Sequence, residues 1–238
     1  GSIAWNNHRH MEAYYAVSGS GMVMHTCNPR LAPEQLIYII NHAEDAVMLF
    51  DTTFAPLIKG IAAHCPKIKV WICLSDAANM PALEGVPGLH CYETLIAPHA
   101  EHFDWPDFDE RTGAALCYTS GTTGHPKGAL YSHRAIVLNA LSGCMPGVIG
   151  ISAQDTVLPV VPMFHVNAWG VPYIAAMTGC KLVLPGPNLD GKSLVKLIDE
   201  TETTLALGVP TIWMGLLAAL KETGSKIPSL KRTVVGGS

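Results

Sequence analysis

The chain has 238 residues, 49% of them hydrophobic and only 14% charged, with a formal net charge of −4. That length and apolar content fit one large domain or two small ones around a substantial buried core with continuous apolar strands. There is no basic excess, which argues against a nucleic-acid partner. The seven cysteines are odd in number and include no Cys-x-x-Cys, which argues against a disulfide framework and for a reducing, cytoplasmic setting.

Read along the chain, helix-like and apolar runs alternate. A helix is expected over 7–18, a strand over 22–26, and a helix over 33–42 with Pro33 in its first turn. Strands at 46–51 and 70–74 flank a helix at 56–65. This rhythm points to a parallel sheet covered by helices. Residues 75–112 carry Pro81, Pro87, Pro98 and Pro106 and read as a surface connection.

The pattern then resumes with a strand at 114–118, a glycine loop at 121–128, a short strand at 129–132 and a helix at 134–142. Strands at 156–161, 181–184, 204–207 and 233–235 and helices at 193–201 and 211–220 complete it. The fold class is therefore α/β, in two βα-layered subdomains at approximately 1–95 and 113–238. Residues 156–180 lack Asp, Glu, Lys and Arg, but Pro159, Pro162, Asn167, Gly170 and Pro172 interrupt them. They read as strand, loop and buried helix and not as a transmembrane segment. The sequence opens on Gly1-Ser2 and stops in a glycine turn, so it reads as a piece of a longer, incomplete domain.

The strongest local signal is Tyr118-Thr119-Ser120-Gly121-Thr122-Thr123-Gly124-His125-Pro126-Lys127-Gly128. Glycines let backbone N–H groups approach an anion, the hydroxyls of Thr119, Ser120, Thr122 and Thr123 add donors, and Lys127 adds positive charge. Hydroxyl oxygens also suit a hard cation. A Walker loop would continue from the lysine into Ser or Thr and a helix; here Gly128 and a β run follow. From composition alone, a solvated Ser/Thr/Gly turn is the other reading.

A second constellation is Val160-Val161-Pro162-Met163-Phe164-His165-Val166-Asn167-Ala168-Trp169-Gly170. The four-residue spacing of His165 and Trp169 would put both on one face of a helix. Taken alone, such a pair fits packed core groups as well as a site. His8 with His10, and His99 with Glu101 and His102, lack a further ligand nearby in sequence and make poor metal sites. No Ser/His/Asp triad is recognisable, since Ser120 does not sit in a Gly-x-Ser-x-Gly elbow.

The segment from Thr119 to Gly128 resembles, position by position, the signature of the adenylate-forming superfamily, which includes acyl-CoA synthetases, beetle luciferases and peptide-synthetase adenylation domains. The stretch 160–170, its continuation over 181–190 with Leu-Pro-Gly-Pro, and the segments 208–213 and 234–238 are similar to the fatty-acid–CoA ligase branch. So is the N-terminal part, from Asn6-Asn7-His8 to Asn28-Pro29-Arg30-Leu31.

The resemblance implies a fold, the large N-terminal domain of such an enzyme, and an activity. That activity is ATP-dependent conversion of a carboxylic, fatty acid to acyl-adenylate and then acyl-CoA, releasing AMP and pyrophosphate. It implies that Thr119, Ser120, Gly121, Thr122, Thr123, Gly124 and Lys127 hold the ATP phosphates, that Thr119 contacts Mg²⁺, and that Lys127 and His165 serve catalysis. His165 would border the carboxylate, Val166 line the acyl tunnel, Trp169 gate it, and Gly236 and Gly237 begin the wall of the adenine and acyl pocket.

Peptide-synthetase domains usually carry Asp where this sequence has His165, so an amino acid is a poor substrate. The implied small molecules are ATP, Mg²⁺, CoA and a carboxylic acid, and the implied parent is a homodimer. The family's later motifs and its C-terminal lid lie outside this sequence, so the piece is expected to be inactive alone. Two alternatives stay open: a non-catalytic nucleotide-binding fragment, and an adenylating enzyme with another acceptor, either oxygen, as in luciferases, or a carrier-protein thiol.

Overall fold

The computed structural model describes residues 1–119 and 125–237 and divides them into two units, 1–5 with 9–133 and 6–8 with 134–237. The first unit is built on seven strands: β1 (Ser2–Ile3), β2 (Met24–Thr26), β3 (Val47–Phe50), β4 (Val70–Cys73), β5 (Leu89–Cys91), β6 (Gly113–Thr119) and β7 (Lys127–Ser132). Their order in the sheet is β5-β4-β3-β1-β2-β6-β7. Neighbours from β5 to β6 run parallel, and β7 closes the edge antiparallel to β6.

Helices α1 (His8–Gly19), α2 (Pro33–Ala43), α3 (Ala55–Ile61) and α4 (Tyr92–Ile96) link or flank these strands. Covering a parallel sheet with helices buries its strands, which is why all of β2 and most of β3 are buried without alternation, β3 as an unbroken apolar run. The core gathers Leu36, Ile39 and Ile40 of α2, Met48 and Phe50 of β3, Ile58 and Ile61 of α3 and Trp71 of β4. α2 starts on Pro33, whose fixed φ suits the first turn. It stops at Glu44, which takes left-handed φ 60° while its N–H bonds back to Asn41 and Ile40.

The second unit carries a four-stranded, all-parallel sheet ordered β11-β10-β8-β9. Its strands are β8 (Thr156–Pro159), β9 (Lys181–Leu182), β10 (Leu205–Gly208) and β11 (Arg232–Val235). The helices are α5 (His133–Cys144), which begins one residue before the unit, α6 (Val171–Thr178), α7 (Gly191–Thr201) and α8 (Pro210–Thr223). Leu158, Leu194, Ile198, Ala206 and Leu216 form its core. The Asp190 side chain caps α7 by accepting the Ser193 N–H at 3.0 Å.

Asp155 ties the strand ends together. Arg232 donates to it at 2.6 Å and the Thr204 hydroxyl at 3.0 Å. Burial pushes the Asp155 carboxyl up, but these bonds and those from Ser152 outweigh it and leave it below the usual carboxylate range.

Four sequence expectations change. The boundary expected before residue 113 falls instead at 133, because β6 pairs with β2 in the first sheet. The connection at 75–112 contains a strand and a helix, β5 and α4. β1 was not expected, since two residues are too few to show a period. β7 begins at Lys127 rather than at 129, which shortens the expected loop. The uncharged stretch 156–180 forms a strand, a turn and the eight-residue α6, and among the described residues no helix is long and apolar enough to cross a membrane.

Candidate functional site

In the first unit, the site is the loop end of the β6–β7 hairpin. Thr119, the last residue of β6, pairs in register with Lys127, the first of β7. Paired residues of antiparallel strands project to the same face, so the hydroxyl and the ammonium emerge together. Both residues are exposed, and the Thr119 hydroxyl donates to the Lys127 carbonyl at 3.4 Å. This end of the hairpin therefore offers an alcohol oxygen and a flexible cation, the donor types an oxyanion takes. Ser120, Gly121, Thr122, Thr123 and Gly124 lie outside the described residues.

The stems of this turn rest on α2. Tyr38 and His42 are one helical turn apart, and their rings stack with centroids 5.4 Å apart. His125 stacks on Tyr38 at 4.5 Å and 19°. The Tyr118 hydroxyl bonds His42 Nδ1 at 2.6 Å, and those two rings meet edge-on. Gly128 pairs with Tyr118, and a Cβ at Gly128 would lie 3.2 Å from Tyr118 Cζ, so this glycine lets the strand lie flat on the ring.

Beneath Tyr118 is a polar cluster that the sequence did not signal. His25 bonds Asp45 through Nδ1 at 2.8 Å, and the Cys27 sulfur lies 3.6 Å from His25 Nε2. All three are buried, and among the described residues they are the one group of His, Cys and acidic side chains close enough to share an ion. Burial first, and then the Asp45 charge, push the Cys27 thiol well above its usual range, so it is a protonated packing group. Of the histidines weighed from sequence, His10 is buried against Ser2 and Trp5, and His102 bonds Asp104 on the surface.

In the second unit, the segment following β8 carries the other expected residues. Asn6 organises it. The Asn6 amide donates to the Pro159 and Val161 carbonyls, each at 2.9 Å, and accepts the Met163 N–H at 2.7 Å. Asn6 is buried, and these bonds use both its donors and its acceptor.

Beyond this anchor, His165 is extended and exposed. Val166, Asn167, Ala168 and Trp169 then take left-handed φ angles of 46°, 49°, 48° and 57°, followed by Gly170 at 82°. The right-handed helical face expected for His165 and Trp169 is therefore not formed. The chain reverses hand here and resumes as α6. Each non-glycine residue held this way costs about 1–2 kcal/mol, and such cost is characteristic of functional segments.

Trp169 and Gly236 are brought together. A Cβ at Gly236 would sit 3.1 Å from the Trp169 ring, so the absence of a side chain is what lets the indole pack there. Gly237 has φ 75° and faces Val209. Val166 is 40% exposed and Trp169 half-buried. Trp213 donates from Nε1 to the Gly208 carbonyl at 3.2 Å and packs against the core of this unit.

The AMP-binding enzyme family matches the chain from residue 1 to residue 238. The chain belongs to that family. Among its relatives, the 3-methylmercaptopropionyl-CoA ligase of Ruegeria lacuscaerulensis is 57% identical over 238 residues, which is the whole of this chain and 44% of that protein. The medium-chain-fatty-acid–CoA ligase of Ectopseudomonas oleovorans is 58% identical over 237 residues, covering 100% of this chain and 43% of that protein. The chain thus spans less than half the length of these relatives. Among solved structures, a red-emitting luciferase of Phrixothrix hirtus superposes with a TM-score of 0.84 at 22% identity, covering 100% of this chain and 45% of that one. The mixed α/β architecture is that of the N-terminal domain of adenylate-forming enzymes.

Proposed function

We propose that this chain is the ATP- and acid-binding part of an AMP-forming acid–CoA ligase acting on an uncharged, fatty-type acyl chain. The observation that carries the reading is the register pairing of Thr119 with Lys127 at the loop end of a hairpin whose sequence resembles that of an adenylating loop. The whole-length family match supports it, as do relatives named for acids with short sulfur-containing or medium-length chains.

In this reading a carboxylate oxygen attacks the α-phosphorus of ATP, the α–β bond breaks and pyrophosphate leaves. The CoA thiol then attacks the acyl carbonyl and AMP leaves. No nucleophile of the protein is needed. Lys127 neutralises phosphate charge, and the hydroxyls and amides of its turn orient the polyphosphate. Alignment of this kind contributes about 7–11 kcal/mol to a bimolecular step.

The exposed Thr119 hydroxyl, a hard oxygen donor, fits one position around Mg²⁺. Bound there, the ion offsets phosphate charge. On the acid side, His165 borders the carboxylate, while Val166 and Trp169, the latter seated on Gly236, shape and gate the acyl path. Gly237 continues that wall. The absence of an acidic group at His165 disfavours an amino-acid substrate, whose ammonium would lack a counter-charge. The parent enzyme is then a cytoplasmic homodimer, and sedimentation of the full-length protein checks the dimer.

Pyrophosphate exchange by the full-length protein, with carboxylic acids of graded length and with amino acids, tests the reading. Exchange with apolar acids only is the expected result. Exchange with none of the acids would overturn it. Replacing Lys127 with Ala should lower the exchange rate by about a hundredfold.

A further inference from the structure

We propose that Tyr38 and His42 are positioning residues that clamp both stems of the Thr119–Lys127 turn onto α2, so that this helix sets the place of the phosphate-binding groups. The inference rests on the adenylation reading and extends it to two residues outside the loop motif.

The argument begins with α2. Its inner face, Leu36, Ile39 and Ile40, is fixed in the core of the first unit. Its next face offers Tyr38 and His42 at a spacing of four, where two side chains stand one above the other. One ring receives each stem. Tyr118, one residue before Thr119, bonds His42 at 2.6 Å. His125, two residues before Lys127, lies on Tyr38 with nearly parallel rings. Because Tyr38 also stacks on His42, the four rings make an unbroken path from one strand, across the helix, to the other strand.

Gly128 closes this arrangement by leaving room for the Tyr118 ring against β7. The hydrogen bonds of the hairpin fix its register. The pairing of β6 with β2 fixes its place in the sheet as far as Cys117; beyond that residue the ring path holds the loop end over the helix. Ordering the groups that meet an anion costs conformational entropy. Holding both ends in place beforehand lowers that cost and strengthens binding without touching the ligand.

The experiment measures MgATP affinity by titration and KM values by pyrophosphate exchange on the full-length protein, with melting curves for every variant. Tyr38→Ala should weaken MgATP binding about five- to tenfold, the size expected for loss of a stacked aromatic pair. It should leave the KM for the acid within about twofold. Tyr38→Phe, which keeps the ring, should bind as the parent does. Tyr118→Phe should weaken binding through loss of its bond to His42, His42→Ala at least as much because the stack on Tyr38 goes too, and the double variant no further than His42→Ala.

If Tyr38→Ala does not fold, Tyr38→Leu and the surface variant His125→Ala carry the same expectation. A folded Tyr38 variant without its ring that binds MgATP as tightly as the parent overturns the clamp alone. A parent protein that binds no MgATP overturns the adenylation reading, and the clamp with it.

Discussion

Two buried polar residues show how much of this molecule rests on single side chains. His10 has no exposure, its Nδ1 donates to the Trp5 carbonyl and its Nε2 accepts the Ser2 hydroxyl, each at 3.0 Å. Burial, only partly offset by the bond to Trp5, lowers its pKa to about 4 from 6.5. The neutral ring is therefore the native form. Between those two values the unfolded chain binds the extra proton and the folded chain does not. The contribution is thus whole above pH 6.5 and is lost as pH falls toward 4. Its size is about 3 kcal/mol. Urea melts at pH 7.5 and 5 should show a smaller pH-dependent loss for His10→Gln than for the parent, and equal losses would refute this assignment.

Asn6 acts in the second unit by satisfying three backbone groups at once. Asn6→Ala should cost about 3 kcal/mol, since it strands two carbonyls and one N–H away from water. Faster hydrogen exchange at Met163 is the local sign to seek.

At the scale of elements, the two candidate site segments use opposite means to hold a geometry. The β6–β7 hairpin is regular, and its pairing register alone puts Thr119 opposite Lys127. The 166–170 turn is irregular, and four left-handed non-glycine residues are kept in place by the Asn6 anchor before them and α6 after them.

Relieving that strain should stabilise the fold. Val166→Gly should raise stability by up to about 1 kcal/mol, after allowing for the greater freedom of glycine in the unfolded chain. A clear loss in a denaturant melt would instead mean that the half-exposed valine contributes more by packing than it costs in backbone strain. Gly236→Ala is the complementary test. Its methyl group would press on the Trp169 indole, so acid chain-length preference should shift in the full-length enzyme. An unchanged preference would remove Trp169 from the acyl path.

For the whole molecule, family membership is secure, yet the chain spans only 44% of one relative and 43% of another. The 238-residue chain by itself should form no acyl-CoA, and turnover by the pure chain would contradict that. The α/β class, most elements and the two motifs were legible in the sequence. Helices such as α2 announce themselves by period and by Pro33, and a buried parallel strand by its apolar run. A glycine-and-hydroxyl loop ending in lysine is likewise a local pattern.

What local pattern could not convey was long-range pairing. Nothing within 113–132 says that β6 lies beside β2, 91 residues earlier at the Met24–Ala115 pair, and so belongs to the first unit. Nothing in Asn6 says that its amide serves residues 159–163. The left-handed run at 166–169 contradicts the preference of Val166, Ala168 and Trp169, and the single Asn167, which tolerates that region, does not announce it. The ring path through Tyr38, His42, Tyr118 and His125 exists only once α2 lies beside the hairpin. Chemistry carried by neighbours along the chain was determined by the sequence alone. Geometry made by residues distant in sequence was decided by the tertiary structure, because only packing brings such groups within bonding range.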